Sequence, residues 1–130
     1  MKNAYQKYKN NSVQTASREK ILLMLYEGAI KFTKLAIKGL EEKKIADKGY
    51  YIGRAYDIVM ELNNTLDHKV GGDISKNLEA LYIFMMDQYT KANFKNEVAP
   101  LRENLKILEN LYEGWQAAIE KIKQNTDNQK

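Results

Sequence analysis

The sequence predicts an all-α protein: an antiparallel up-down four-helix bundle with a flexible N-terminal arm. Three observations predict it. Only one proline occurs in 130 residues, Pro100, and proline is the residue that helix interiors exclude. Apolar residues recur at three and four spacing through four long stretches, the period of a helix with a buried face. The stretches are separated by short polar or glycine breaks, and short connections make neighbouring helices antiparallel. No stretch alternates apolar and polar residues as a strand does.

The arm is residues 1–16. It opens MKNAYQKYKNNSV, rich in Lys, Asn and Gln and without an apolar period. Tyr5 and Tyr8 are three apart and share a face if the arm forms a helical turn. The first helix is expected over about 17–42. Ser17 is a suitable N-cap and Glu19 an acidic first-turn residue. Ile21, Leu25, Phe32 and Leu35 mark one face, Leu22, Ala29 and Ala36 widen it, and Leu23, Tyr26, Ile30 and Ile37 carry apolar character most of the way round. A helix that apolar is covered on more than one side.

The second helix is expected over about 45–69, with Ile45, Ile52, Ala55, Tyr56, Val59, Leu62 and Leu66 as its stripe. Gly49 and Gly53 lie inside it, each costing about 1 kcal/mol against Ala. Gly71-Gly72 ends it and Asp73 caps the third helix, about 73–93. There Ile74, Leu78, Leu81, Met85, Tyr89 and Ala92 form the stripe, and Asn93 to Asn96 a turn. Pro100 falls in the first turn of the fourth helix, about 98–124, where its missing N–H costs nothing. That helix carries Leu101, Leu105, Leu108, Leu111, Tyr112, Trp115, Ile119 and Ile122. Residues 125–130 form a polar tail, expected to fray. Helices of about 25 residues are each about 37 Å long.

Composition narrows the function. Without cysteine there is no disulfide framework and no thiolate chemistry. The start lacks the continuous apolar run of a secretory signal, and the longest apolar runs, such as Ile21 to Tyr26, fall far short of a membrane span. A soluble cytoplasmic protein is the expectation. The net charge of +4 comes from lysines interleaved with Glu and Asp, which reads as a mixed solvated surface rather than the gathered stripe of a nucleic-acid binder.

Catalytic and metal constellations are missing from the sequence. The one histidine, His68, lies between Asp67 and Lys69, and one imidazole does not make a metal site. No Ser sits in a strained elbow pattern. Glu41-Glu42 and Asp57 with Glu61 read as surface carboxylates, and the Glu-x-x-His pairs of di-iron bundles do not occur. Gly71-Gly72 lacks the spacing of a phosphate loop. The expectation is no enzyme, no cofactor and no metal.

The third helix instead carries an excess. LYIFMMDQY is apolar at seven of nine positions, whereas one helix face needs about three or four in seven. Leu81, Met85 and Tyr89 serve the core on this reading, while Tyr82, Ile83, Phe84 and Met86 do not all point inward with them. Tyr50, Tyr51 and Tyr56 add aromatic surface on the second helix. Exposed apolar grooves between helices take partner helices, and Met suits them because its thioether repacks around different contacts.

The blocks NAYQKY, TASREKILLMLYEGAIKF, GRAYDIVMELNNTLD, GGDISKNLEALYIFM and LYEGWQAAI follow one another from Asn3 to Ile119, and the likeness extends to about Ile122. Together they resemble the flagellar secretion chaperone family FliS. The resemblance implies a bundle that binds the C-terminal segment of newly made flagellin, extended and partly helical, so preventing premature filament assembly and aiding delivery to the flagellar type III export apparatus. It also implies that the tyrosine-bearing arm, Tyr5 and Tyr8 here, lies over the binding surface. Arg18 stands where many relatives have proline, and Phe84 where tyrosine is common. The expected groove residues are Tyr51, Ile52, Tyr56 and Val59 from the second helix and Leu78, Tyr82, Ile83, Met85, Met86 and Tyr89 from the third, some of them core instead. Changing Tyr82 or Met86 to Asp is expected to weaken binding and leave helix content intact. Rival readings are an adaptor for another helical partner, such as an anti-sigma factor or co-chaperone, a basic nucleic-acid-binding bundle, and a helical oligomer. Nucleic acid and membrane insertion are not expected.

Overall fold

The computed structural model describes residues 18–128. They form four helices: α1, Arg18–Glu41; α2, Ile45–Asn64; α3, His68–Lys95; and α4, Ala99–Asn128. Neighbours in sequence are neighbours in space, and α4 returns to pack on α1, which closes a ring of four.

Pairs of contacts fix the directions. Between α1 and α2, Gly39 lies against Lys48 and Gly28 against Ile58, so the two helices are antiparallel. Between α4 and α1, Arg102 reaches Glu41 and Tyr112 reaches Glu27, again antiparallel. Across the bundle diagonal the hydroxyls of Tyr26 and Tyr82 meet, and seven residues further along both helices those of Thr33 and Tyr89 meet. Helices α1 and α3 are therefore parallel, as an up-down bundle requires.

The buried positions of α2 and α3, and of α1 from Tyr26 to Ala36, are spaced three and four apart. On α1 they are Tyr26, Ala29, Thr33 and Ala36, with Ile37 and Gly39 also buried toward its end; on α2 Lys48, Ile52, Ala55, Val59 and Leu62; on α3 Ser75, Leu78, Tyr82, Met85, Tyr89 and Ala92. This is the a/d seam of a coiled-coil-like bundle. It corrects two expected stripes. Ile74 and Ile21 point outward, 68% and 48% exposed, and Ser75 and Tyr82 take the inward places on α3. Hydroxyl-bearing side chains enter the core because each hydroxyl has a partner: Ser75 donates to the Asp67 carbonyl at 3.0 Å, and Tyr82 pairs with Tyr26. Burial of a satisfied hydroxyl costs little.

The helix ends also have local causes. After α1 the amides of Lys43 and Lys44 donate to the carbonyls of Leu40 and Gly39, at 3.1 and 2.7 Å. This is a Schellman turn, and Lys43 holds its left-handed position at φ 58° where glycine is usual. Helix α2 stops at Asn64, five residues before the expected 69, because Asp67 starts the next element: its carboxylate accepts from the amides of Lys69 and Val70, at 3.0 and 3.1 Å. The expected break at the glycine pair is present, but it lies inside α3. Gly72, at φ 50° and ψ −123°, separates a single turn from the long part of that helix, a conformation that favours glycine. Asp67 rather than Asp73 is the residue seen capping. Helix α3 runs through Phe94 and ends on Asn96 at φ 54°, and α4 keeps Pro100 in its first turn and extends through 128, taking in most of the expected tail.

Candidate partner-binding site

A seam of polar groups runs down the core. Thr33 donates its single hydroxyl proton to the Ala29 carbonyl at 2.7 Å, so Tyr89 must donate to Thr33, also at 2.7 Å. Burial pushes the Tyr89 phenol up to about 12, with the Thr33 and Asn104 groups opposing. Burial likewise raises Tyr82 and Tyr26. The Asn104 amide donates to the Met85 carbonyl at 2.8 Å. The Trp115 indole N–H is buried without a hydrogen-bond partner; it lies close enough to the Tyr26 hydroxyl to favour its ionised form but outside hydrogen-bond geometry. These groups lock register and leave no nucleophile or base open to a substrate.

The surface holds the apolar excess. Between α2 and α3 a cleft of about 560 Å³ is lined by Ile52, Gly53, Tyr56, Tyr89, Thr90, Asn93 and Phe94. Gly53 has nothing within 4 Å of where a Cβ would stand, so it opens the cleft wall rather than serving a close helix approach. Phe94 at the cleft's end is 85% exposed. Ile83, Met86, Thr90 and Phe94 follow one another at three and four spacing and so continue one outer face of α3. Beside them on α2, Tyr56 is half-buried and Met60 is 42% exposed. A second, smaller cleft of about 290 Å³ opens at the bundle end where α1 begins, and Leu22, Leu66, Val70, Ile74, Leu78, Tyr82 and Trp115 are among its walls.

The ten expected groove residues fall into several places. Ile52, Tyr56 and Tyr89 line the α2/α3 cleft, Ile52 and Tyr89 as its buried floor. Ile83 and Met86 lie on the outer α3 face, the first exposed and the second half-buried. Leu78 and Tyr82 reach the end cleft instead. Val59 and Met85 are fully buried core. Tyr51 faces away, toward α1, where it stacks on Phe32 at 6.0 Å and meets Tyr50 edge-on. Five residues at about 100° each put Tyr51 about 140° from Tyr56 around α2, which is why sequence order grouped what the helix separates. Tyr82 is 1% exposed and bonded to Tyr26, so its replacement by Asp strikes the core, and the expectation of intact helix content holds for Met86 alone. Tyr5 and Tyr8 lie outside the described residues.

Sequence reading missed Phe94 and Val70. The sequence puts Phe94 in the turn Asn93 to Asn96 and Ile74 on the buried stripe, and it assigns Val70 no place; Val70 is 86% exposed. The signal was available in register: neither 70, 74 nor 94 falls on the 75-78-82-85-89-92 seam.

The sequence matches the family described as "Flagellar protein FliS" over residues 1–122. The chain belongs to the FliS family. The flagellar secretion chaperone FliS of Vibrio cholerae is 37% identical over 119 residues, covering 88% of each chain. That of Bacillus subtilis is 32% identical over 120 residues, 92% of this chain and 89% of the relative. A solved structure titled "Crystal structure of flagellar chaperone from bacteria" shares the fold with a TM-score of 0.77 at 24% identity, over 91% of this chain and 96% of that one. FliS is a family of flagellar chaperones and not of enzymes. Among the described residues no group of His, Cys, Asp or Glu is arranged to hold a metal, His68 meeting only Glu79, at 3.3 Å. No described helix is long and apolar enough to cross a membrane.

Proposed function

We propose that this chain is a cytoplasmic export chaperone for a flagellin. It takes the C-terminal helical segment of the newly made subunit into the α2/α3 cleft, keeps it from polymerising, and presents it to the flagellar export apparatus. The observation that carries this reading is the open apolar trough of Gly53, Tyr56, Thr90 and Phe94, continued by Ile83 and Met86, on a member of a flagellar chaperone family.

The physics is coupled folding. A free amphipathic segment cannot bury its own apolar face. Docking orders it, at a cost of about 2–5 kcal/mol. Each well-buried apolar anchor returns roughly 1.5–3 kcal/mol, so a few anchors give useful affinity while release needs no nucleotide. The rigid tyrosine and threonine seam beneath keeps the cleft shaped when empty. Tyr5 and Tyr8 cover the apolar surface until cargo displaces them.

Ile83→Asp and Met86→Asp test the cleft. Both side chains reach the surface, so helix content stays and binding of a flagellin C-terminal peptide falls by about tenfold or more. Unchanged affinity in both variants would remove the α2/α3 surface as the cargo site.

A further inference from the structure

A cleft of about 620 Å³ lies between α1 and α4, on the face opposite the α2/α3 trough. Its apolar floor is Ile30, Leu35 and the ring of Tyr112. Its walls carry opposite charge. Glu27 on α1 accepts from the Tyr112 hydroxyl, which leaves Lys31 and Lys34 on α1 facing Glu109 and Glu113 on α4. Charges of opposite sign facing each other across a narrow gap would pair, yet none of these four joins an ion pair within 4.0 Å; those among the described residues are Lys44–Glu42, His68–Glu79 and Arg102–Glu41. The Lys31 ammonium instead rests 5.7 Å from the Phe32 ring centroid. Among the described residues no ion pair closes the space between Lys31 and Lys34 on one side and Glu109 and Glu113 on the other.

We propose that the α1/α4 cleft docks a short amphipathic helix of a second protein, distinct from the cargo, with acidic residues on the flank facing α1 and basic residues on the flank facing α4. From Glu27 to Leu35 the cleft follows about 12 Å of helix axis, room for about two turns and so one pair of apolar anchors. A helix laid in the trough covers Ile30 and Leu35 with those anchors and brings its flanks against both walls, as flanking charges do along a coiled-coil seam. The exposed bridge from the Tyr112 hydroxyl to Glu27, 2.9 Å, spans the two helices at this cleft and opens as the helix enters. Reversing a helix end for end exchanges its flanks, so the charged walls set the direction of the bound helix. They exclude a helix whose flanks carry the same sign. The two clefts lie on opposite faces, so this partner and the cargo bind together.

The test uses the full chain and three synthetic helical peptides with one apolar face in common: one with an acidic and a basic flank, one with both flanks acidic, one with both basic. The mixed peptide is expected to bind about tenfold tighter than either other, and the double variant E109K/E113K to transfer the preference to the doubly acidic peptide. Both glutamates are exposed, and circular dichroism confirms that the variant keeps its helices. A flagellin C-terminal peptide at saturation is expected to leave the mixed peptide's affinity unchanged. Equal binding of all three peptides, or a preference the double variant does not move, overturns the proposal. So does competition with the flagellin peptide, or a change of molecular mass by light scattering in E109K/E113K, which would make the face a contact between copies. The α2/α3 reading is tested separately by Ile83→Asp and Met86→Asp, so its failure is distinguishable from failure here.

Discussion

Lys43 shows how much one residue carries. It holds a left-handed φ of 58° so that the amides of Lys43 and Lys44 close the end of α1. An L-residue there costs about 1–2 kcal/mol that glycine does not. Lys43→Gly is therefore expected to stabilise the protein by about 1 kcal/mol, a rise in Tm of about 4 °C by calorimetry. An unchanged or lower Tm would mean that the Lys43 side chain contributes more than its backbone costs. The buried tyrosines make a second prediction at this scale. Burial raises Tyr26, Tyr82 and Tyr89 above the ordinary 10.0. Above pH 10 the unfolded chain releases these protons while the folded chain keeps them, so deprotonation favours unfolding. The stability they contribute is complete below pH 10 and is lost as pH rises through the folded values, about 12 for Tyr89. Urea midpoints measured across this range should fall steeply above pH 10, with part of the tyrosinate absorbance appearing only as the chain unfolds.

The helices divide into a seam the sequence half disclosed and outer faces it did not. Existence and order of all four were legible, because period and punctuation are local signals. Register was not. On α3 counting apolar residues favoured Ile74 and Leu81 over Ser75 and Tyr82, since hydropathy does not see that a hydroxyl will find a partner fifty-six residues away on α1. The same blindness mixed core with surface in the candidate site: Val59 and Met85 are core, Tyr51 turns toward α1, and the α2/α3 cleft takes its shape from Gly53, whose open side only the packed helices show. Gly53 supplies the prediction at this scale. Gly53→Leu restores helix propensity and its Cβ meets nothing within 4 Å, so the fold is expected to keep or gain stability by about 0.5–1 kcal/mol. The new side chain fills the trough, and affinity for a flagellin C-terminal peptide should fall by about tenfold. A stable variant with full affinity would place the cargo elsewhere.

Taken whole, the described residues form a bundle with two unlike faces. One is apolar and aromatic, the other apolar with charged walls of opposite sign. The fold class was legible throughout, and family membership follows from blocks of sequence spread along nearly the entire chain. A bundle with an aromatic trough between α2 and α3 suits cargo that folds as it docks. The direct measurement is isothermal titration of a peptide covering the flagellin C-terminal helices into the full chain and into a shortened chain beginning at Ser12. One-to-one binding with a large negative heat-capacity change, tighter for the shortened chain, is the predicted result. Absence of binding to either chain would contradict the flagellin-chaperone account of this bundle.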